Sequence, residues 1–266
     1  MPRLAANLSW LYGELPFPER FAAAARDGFA AVEFLFPYDH PAKDIARWAE
    51  DAGVEIAMFN LPPGDWAAGE RGLAGLPGRE EAFSRSVEHA LAYADALGVH
   101  KLHAMAGLLA PGVERACAWT VYLANLRAAA AMLAASGRTL LIEPINRRDM
   151  PGYLLQTLEA ALAAVEAVGS ANLRVQADLY HLQIEGGDMT RRLESAMRSV
   201  GHVQVAAVPD RGEPDAGELN HPHLFALLDA LGYDGWVGCE YRPRGPTSEG
   251  LGWAAPLLNR GRRRSE

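Results

Sequence analysis

Four short apolar runs in the second half of this sequence each carry an oxygen-bearing side chain at or near their end. They are Leu140-Leu141-Ile142-Glu143-Pro144, Val175-Gln176-Ala177-Asp178, His202-Val203-Gln204-Val205-Ala206 and Val237-Gly238-Cys239-Glu240. If the runs are neighbouring strands, roughly 4.8 Å apart, side chains at one level on the same face converge on one point. A single Glu or Asp after a strand is more often a helix cap or a surface group. Three carboxylates buried together are different, because repulsion and lost hydration force protonation unless a cation is shared. Glu143, Asp178, Gln204 and Glu240 therefore read as ligands of one divalent metal, and an all-oxygen set favours Mg2+ or Mn2+ over Zn2+ or Cu2+. Gln204 is the weakest member, since a Gln in a strand more commonly fills a barrel interior with hydrogen bonds.

Other residues are placed to meet a substrate. His181 follows Asp178 by three residues and reaches the same mouth, where it is expected to bind substrate. His103, in Lys101-Leu102-His103-Ala104-Met105-Ala106-Gly107, is either a satisfied interior histidine or a substrate contact. Arg71 lies in the Gly- and Pro-rich stretch Leu61 to Gly72, and Arg211 lies in Pro209-Asp210-Arg211-Gly212-Glu213-Pro214. Both are expected to pair bidentately with an acid substrate, the competing role being an ordinary surface salt bridge. His202 and Glu33 are expected to be structural groups of the interior.

The elements that would hold these residues alternate along the whole chain. Eight β-like runs are legible: Leu4 to Asn7, Ala31 to Leu35, Glu55 to Asn60, Lys101 to Met105, Thr139 to Glu143, Leu173 to Asp178, His202 to Ala206 and Trp236 to Glu240. Helical patterns lie between them, with Leu155, Leu158, Leu162 and Val165 on one face and Leu224, Leu227, Leu228 and Leu231 on another. Gly28, Gly53, Gly137 and Gly232 follow helical segments, where a left-handed residue is wanted. Alternation of this kind specifies a parallel sheet with helical crossovers. Eight units in 266 residues fit a single (β/α)8 TIM barrel of the α/β class over residues 1–258, with 259–266 as a disordered basic tail. No G-x-G-x-x-G follows the first strand, which removes the best evidence for a dinucleotide-binding sheet.

Composition narrows the function classes. Half of the residues are hydrophobic, enough for a large core, and the formal net charge of −8 argues against a nucleic-acid partner. Two cysteines, Cys117 and Cys239, fall in apolar segments read as a helix and a strand, and are expected to be buried reduced thiols. No run reaches transmembrane length and no leader is legible, so a cytoplasmic protein without a membrane partner is expected; a homo-oligomer is compatible with all of this.

With these residues in view, the chain resembles the hydroxypyruvate isomerase family, within the xylose-isomerase-like barrel superfamily that also holds ketose 3-epimerases and endonuclease IV. The resemblance rests on Phe34-Leu-Phe-Pro-Tyr-Asp39, Gly64-Asp-Trp-Ala-Ala-Gly-Glu-Arg-Gly72, His103-Ala-Met-Ala-Gly107, Ile142-Glu-Pro-Ile-Asn146, Asp178-Leu-Tyr-His181, the His202 to Pro214 segment and Gly235-Trp-Val-Gly-Cys-Glu-Tyr241. It implies that Glu143 and Glu240 are the catalytic pair and that Glu143, Asp178, Gln204 and Glu240 hold the metal. Related epimerases have His where Gln204 stands, which points away from them. The implied activity interconverts hydroxypyruvate and tartronate semialdehyde through an enediolate. The alternatives are a 2-oxotetronate isomerase, a ketose 3-epimerase and a barrel that only binds a metabolite.

Overall fold

The computed structural model describes residues 2–258, so the basic tail expected at 259–266 lies outside the described residues. The β-like runs pair in chain order into one closed parallel barrel: β1 (Arg3–Asn7), β2 (Ala31–Phe34), β3 (Glu55–Asn60), β4 (Lys101–His103), β5 (Thr139–Ile142), β6 (Leu173–Asp178), β7 (Val200–Val205) and β8 (Trp236–Cys239). This is the (β/α)8 architecture expected from the alternation. β5 and β8 each stop one residue short of the runs read from sequence, leaving Glu143 and Glu240 just past the strand ends. Pro144 has no N–H to continue the ladder after Glu143.

Helices cover the barrel: α1 (Phe17–Arg26), α2 (Ala42–Ala52), α3 (Glu80–Leu97), α4 (Arg115–Ala134), α5 (Leu158–Val168), α6 (Leu179–Glu185), α7 (Met189–Ala196), α8 (His221–Ala230) and the short α9 (Ala255–Leu258). Gly53 caps α2 in the left-handed region at φ 66°, as its place after the helix requires. α5 differs from its leucine pattern. It buries Leu158, Ala161, Ala164 and Val168, while Leu162 and Val165 are only partly covered, because small residues let a helix lie close to the sheet.

Two expectations are corrected on α4. By length and composition this helix, 20 residues with a mean hydropathy of 1.2, could cross a membrane, although the sequence reading found no such run. Here it buries one stripe, from Ala118 through Tyr122, Asn125 and Leu126 to Leu133, and Asn125 donates to the carbonyl of Ala74 at 2.8 Å. Cys117 lies off that stripe and is exposed, whereas Cys239 on β8 is buried as expected; both thiols are free.

Register sets the levels of the interior. Asp178 pairs with Gln204 and Gln204 with Gly238, so these positions share a level. Asn7 pairs with Glu33. A Cβ on Gly238 would come within 2.2 Å of Glu33 Oε1, so glycine at this strand position makes room for a buried carboxylate from β2, two strands away.

Candidate active site

The chain places three carboxylates at the C-terminal mouth of the barrel, and all three are buried: Glu143 just past β5, Asp178 at the end of β6 and Glu240 just past β8. Ligand atoms of Glu143, Asp178 and His181 lie within 4.8 Å of one another. Asp178 also caps α6, its Oδ1 accepting the Tyr180 N–H at 2.9 Å, which fixes the carboxylate at the strand-to-helix corner.

Arg211 supplies the nearest positive charge. Its Nη2 donates to Glu240 Oε1 at 2.7 Å and to Asp178 Oδ2 at 3.3 Å. The guanidinium lies between two aromatic faces, 4.6 Å from the Trp10 ring and 4.8 Å from the Tyr180 ring. The Arg211 backbone is in the left-handed region at φ 55°, where a side chain is uncommon, and Arg242 N–H holds its carbonyl at 2.7 Å. Burial opposes the arginine charge, but Glu240, Asp178 and Glu143 together hold its pKa above the ordinary value.

One guanidinium does not balance three carboxylates. Burial, then Glu240 and Asp178, push the Glu143 carboxyl well above the usual range. Burial pushes Glu240 to about 8, with Arg211 pulling the other way. Asp178 is raised by burial to about 6, against Arg211 and the Tyr180 N–H. Glu143 Oε1 is buried without a hydrogen-bond partner among the described residues. An orphaned carboxylate oxygen beside two further carboxylates is the donor chemistry of a hard divalent cation, and the residues fit one.

His181 is brought to this mouth as expected, its Nε2 3.5 Å from Asp178 and 3.9 Å from Glu143. His103 Nε2 is 3.7 Å from Glu143 Oε2. Burial, then His202, lower the His103 pKa to about 3, so the ring is neutral and this contact is no ion pair. Gln204, level with Asp178, has its amide held on both sides. Its amide oxygen accepts from Gln176 at 2.7 Å and its nitrogen donates to Glu33 Oε1 at 2.7 Å. His202 lies 2.7 Å from the same Glu33 carboxylate, in keeping with the structural roles expected of both.

Arg71 is not brought to the carboxylates by any contact among the described residues. Its Nη1 donates to the Trp66 and Glu70 carbonyls at 3.0 and 2.8 Å, and its guanidinium stacks 3.8 Å over the Trp66 ring. An aromatic face and two carbonyls within five residues satisfy this side chain locally.

Sequence reasoning missed several groups that shape the mouth. Asn7 Nδ2 donates to Glu33 at 3.0 Å and lies 3.5 Å from Glu240 Oε2. Tyr180 donates to Asp149 at 2.8 Å and accepts from Arg148 at 3.1 Å, which adds a second arginine to the rim. Asn146 contacts His181. The one available signal was that Asn146 and Tyr180 fall inside the short motifs quoted for the family resemblance.

Comparison with known proteins places this geometry. A family model described as xylose isomerase-like TIM barrel matches residues 21–257. The 2-oxo-tetronate isomerase of Cupriavidus necator is 55% identical over 260 residues, spanning 98% of this chain and 100% of that protein. The hydroxypyruvate isomerase of Escherichia coli is 44% identical over 256 residues, 96% of this chain and 99% of that one. Among solved structures, one from Brucella melitensis described as an AP endonuclease, family 2, superposes with a TM-score of 0.95 at 52% identity, covering 96% of this chain and 99% of that one.

Proposed function

This chain belongs to the xylose isomerase-like TIM barrel family, and on that premise we propose that it is an isomerase interconverting hydroxypyruvate and tartronate semialdehyde. The observation that carries the reading is the set of three buried carboxylates at the barrel mouth, two of them bridged by Arg211. In hydroxypyruvate the C3 hydrogens are α to the ketone. Removing one gives an enediolate, and returning a proton to C2 while the C3 hydroxyl proton passes to the C2 oxygen gives the aldehyde. Glu143 and Glu240 are the proton-transfer pair, one taking the C3 proton and the other delivering one to C2. Glu143 Oε1, free of hydrogen bonds, has a lone pair for this work, while Arg211 orients Glu240 through its Oε1. Arg211, with Arg148 on the rim, attracts the substrate carboxylate. The chain's formal charge of −8 disfavours DNA as the substrate.

Glu143, Asp178 and Glu240, with the remaining lone pair of the Gln204 amide oxygen, would hold Mg2+ or Mn2+. When bound, such an ion acidifies the C3–H and offsets negative charge developing on substrate oxygen. The proton linkage is testable without turnover. Asp178, raised to about 6, and Glu240, raised to about 8, bind more protons in the folded than in the unfolded protein. The stability they contribute is therefore present below the ordinary carboxylate range and lost as pH rises through their folded values. Chelator-treated protein is expected to melt lower as pH is raised from about 5 to about 8, and added Mg2+ to restore more of the melting temperature at the higher pH. A metal-free melting temperature that climbs over this interval would overturn the assignment of the three carboxyls.

The substrate is tested by incubating metal-loaded enzyme in D2O with hydroxypyruvate, a 2-oxotetronate or D-fructose, and following deuterium incorporation and product by NMR. The expected result is exchange and aldehyde formation with hydroxypyruvate, at least tenfold faster than any exchange with fructose. A charge-assisted bond to the substrate carboxylate is worth about 1.5–3 kcal/mol, or roughly a tenfold to hundredfold preference over a neutral analogue. Fastest turnover of the four-carbon acid would support a second reading, favoured by the 55% identity to the Cupriavidus protein. Turnover of fructose alone would remove the acid-substrate assignment.

A further inference from the structure

Asn146 lies three residues beyond Glu143 and its side-chain amide has a fixed orientation. Its Oδ1 accepts the Asp149 N–H at 2.8 Å, which leaves Nδ2 facing His181 Nδ1 at 2.6 Å. An amide NH2 donates and cannot accept, so His181 Nδ1 is the acceptor. The Asn146 backbone N–H points at the same nitrogen at 3.4 Å. A neutral imidazole whose Nδ1 accepts carries its proton on Nε2. Two donors facing Nδ1 leave no room for a proton there, so the ring is the neutral Nε2–H form.

The atom that His181 turns towards Asp178 and Glu143 is therefore an N–H and not a lone pair. By distance alone His181 could be a metal ligand together with those two carboxylates. By tautomer it cannot, because a protonated nitrogen has no electron pair to give. We propose that Asn146 is a positioning residue that locks His181 as the Nε2–H tautomer, which makes His181 a hydrogen-bond donor to substrate oxygen and keeps it out of the metal's ligand set. This rests on the isomerase reading, in which the oxygen that becomes negative in the enediolate needs a donor already aimed at it.

The decisive variant is Asn146→Asp. A carboxylate of the same shape still accepts the Asp149 N–H, but towards His181 it can only accept, so it draws the proton to Nδ1. Nitrogen NMR of the 15N-histidine-labelled, metal-free protein reads the tautomer directly, because a bare ring nitrogen resonates far downfield of a protonated one. Wild-type His181 is expected to show bare Nδ1 and protonated Nε2, and the variant to show protonated Nδ1. With Mg2+ and substrate, Asn146→Asp is expected to lose about a hundredfold in kcat, the typical effect of one lost oxyanion donor, with KM changed much less.

His181→Gln provides the control, since a glutamine amide can donate whatever stands at position 146. In that background Asn146→Asp is expected to cost little, a non-additivity that marks action through His181. A bare Nε2 in the wild-type protein, or an equal loss from Asn146→Asp in both backgrounds, overturns the proposal. The expected tautomers in a protein inactive on both acids would support the positioning role while removing the isomerase reading, so the two fail separately.

Discussion

Glu143→Gln and Glu240→Gln are each expected to lower turnover by roughly a thousandfold or more while leaving the barrel folded, because each removes a proton-transfer group together with a charged metal ligand. General acid–base catalysis alone contributes about 10²–10⁴-fold, which sets the scale. The amide keeps the shape of the carboxyl, so packing at the mouth is preserved. In metal-free protein Glu143→Gln is expected to hold or raise the melting temperature, since burial, Glu240 and Asp178 disfavour its charge, whereas Glu240→Gln also gives up the ion pair to Arg211 and is expected to melt below Glu143→Gln. Turnover on the acid substrates and thermal melts with and without Mg2+ check the two halves. A variant that kept more than a few per cent of wild-type turnover would remove that residue from the catalytic pair. A variant that melted far below the wild type would show its carboxyl to be a scaffold group instead.

Arg211→Met is expected to damage stability and activity together. Among the described residues this guanidinium reaches both Glu240 and Asp178, and its removal leaves those carboxylates buried without that partner. Breaking a buried pair costs about 3–5 kcal/mol. At about 2–4 °C per kcal/mol for a chain of this size, the melting temperature should fall by roughly 6–20 °C. The sign of its pH dependence is fixed by the same charges. Arg211 lowers the pKa of Asp178, Glu143 and Glu240, so without it they protonate more readily and the destabilisation shrinks on acidification. Melts at pH 8 and pH 5.5 should therefore differ less from wild type at the lower pH. An equal shift at both would mean that the loss comes from the stacking of Arg211 on Trp10 and Tyr180 and not from its charge. Turnover of hydroxypyruvate should fall with KM rising, because the acid's anchor is lost, and Arg211→Lys should restore charge without the planar fork.

The barrel was legible in the sequence because its signals are local. Strand runs, amphipathic helical faces and glycines such as Gly53 and Gly137 at helix ends each follow from a few neighbouring residues. So were Glu143, Asp178 and Glu240, since a carboxylate that closes an apolar strand must lie at the mouth once the strands are parallel. Partner choice was decided elsewhere. Barrel closure places Asn7, at the end of β1, and Trp10, after it, beside Glu240, after β8, and that adjacency cannot be read from spacing along the chain. The Gln204 amide nitrogen is tied to Glu33, which reaches it from β2 through room that Gly238 leaves. Arg71, expected to face the substrate like Arg211, finds a tryptophan ring and two carbonyls in its own loop, whereas Arg211 is carried by a left-handed backbone turn into contact with two carboxylates. Short-range periodicity settles which element a residue belongs to and which end it closes. The hydrogen bonds and charges that it meets there depend on the register and closure of eight strands, and these exist only in the assembled barrel.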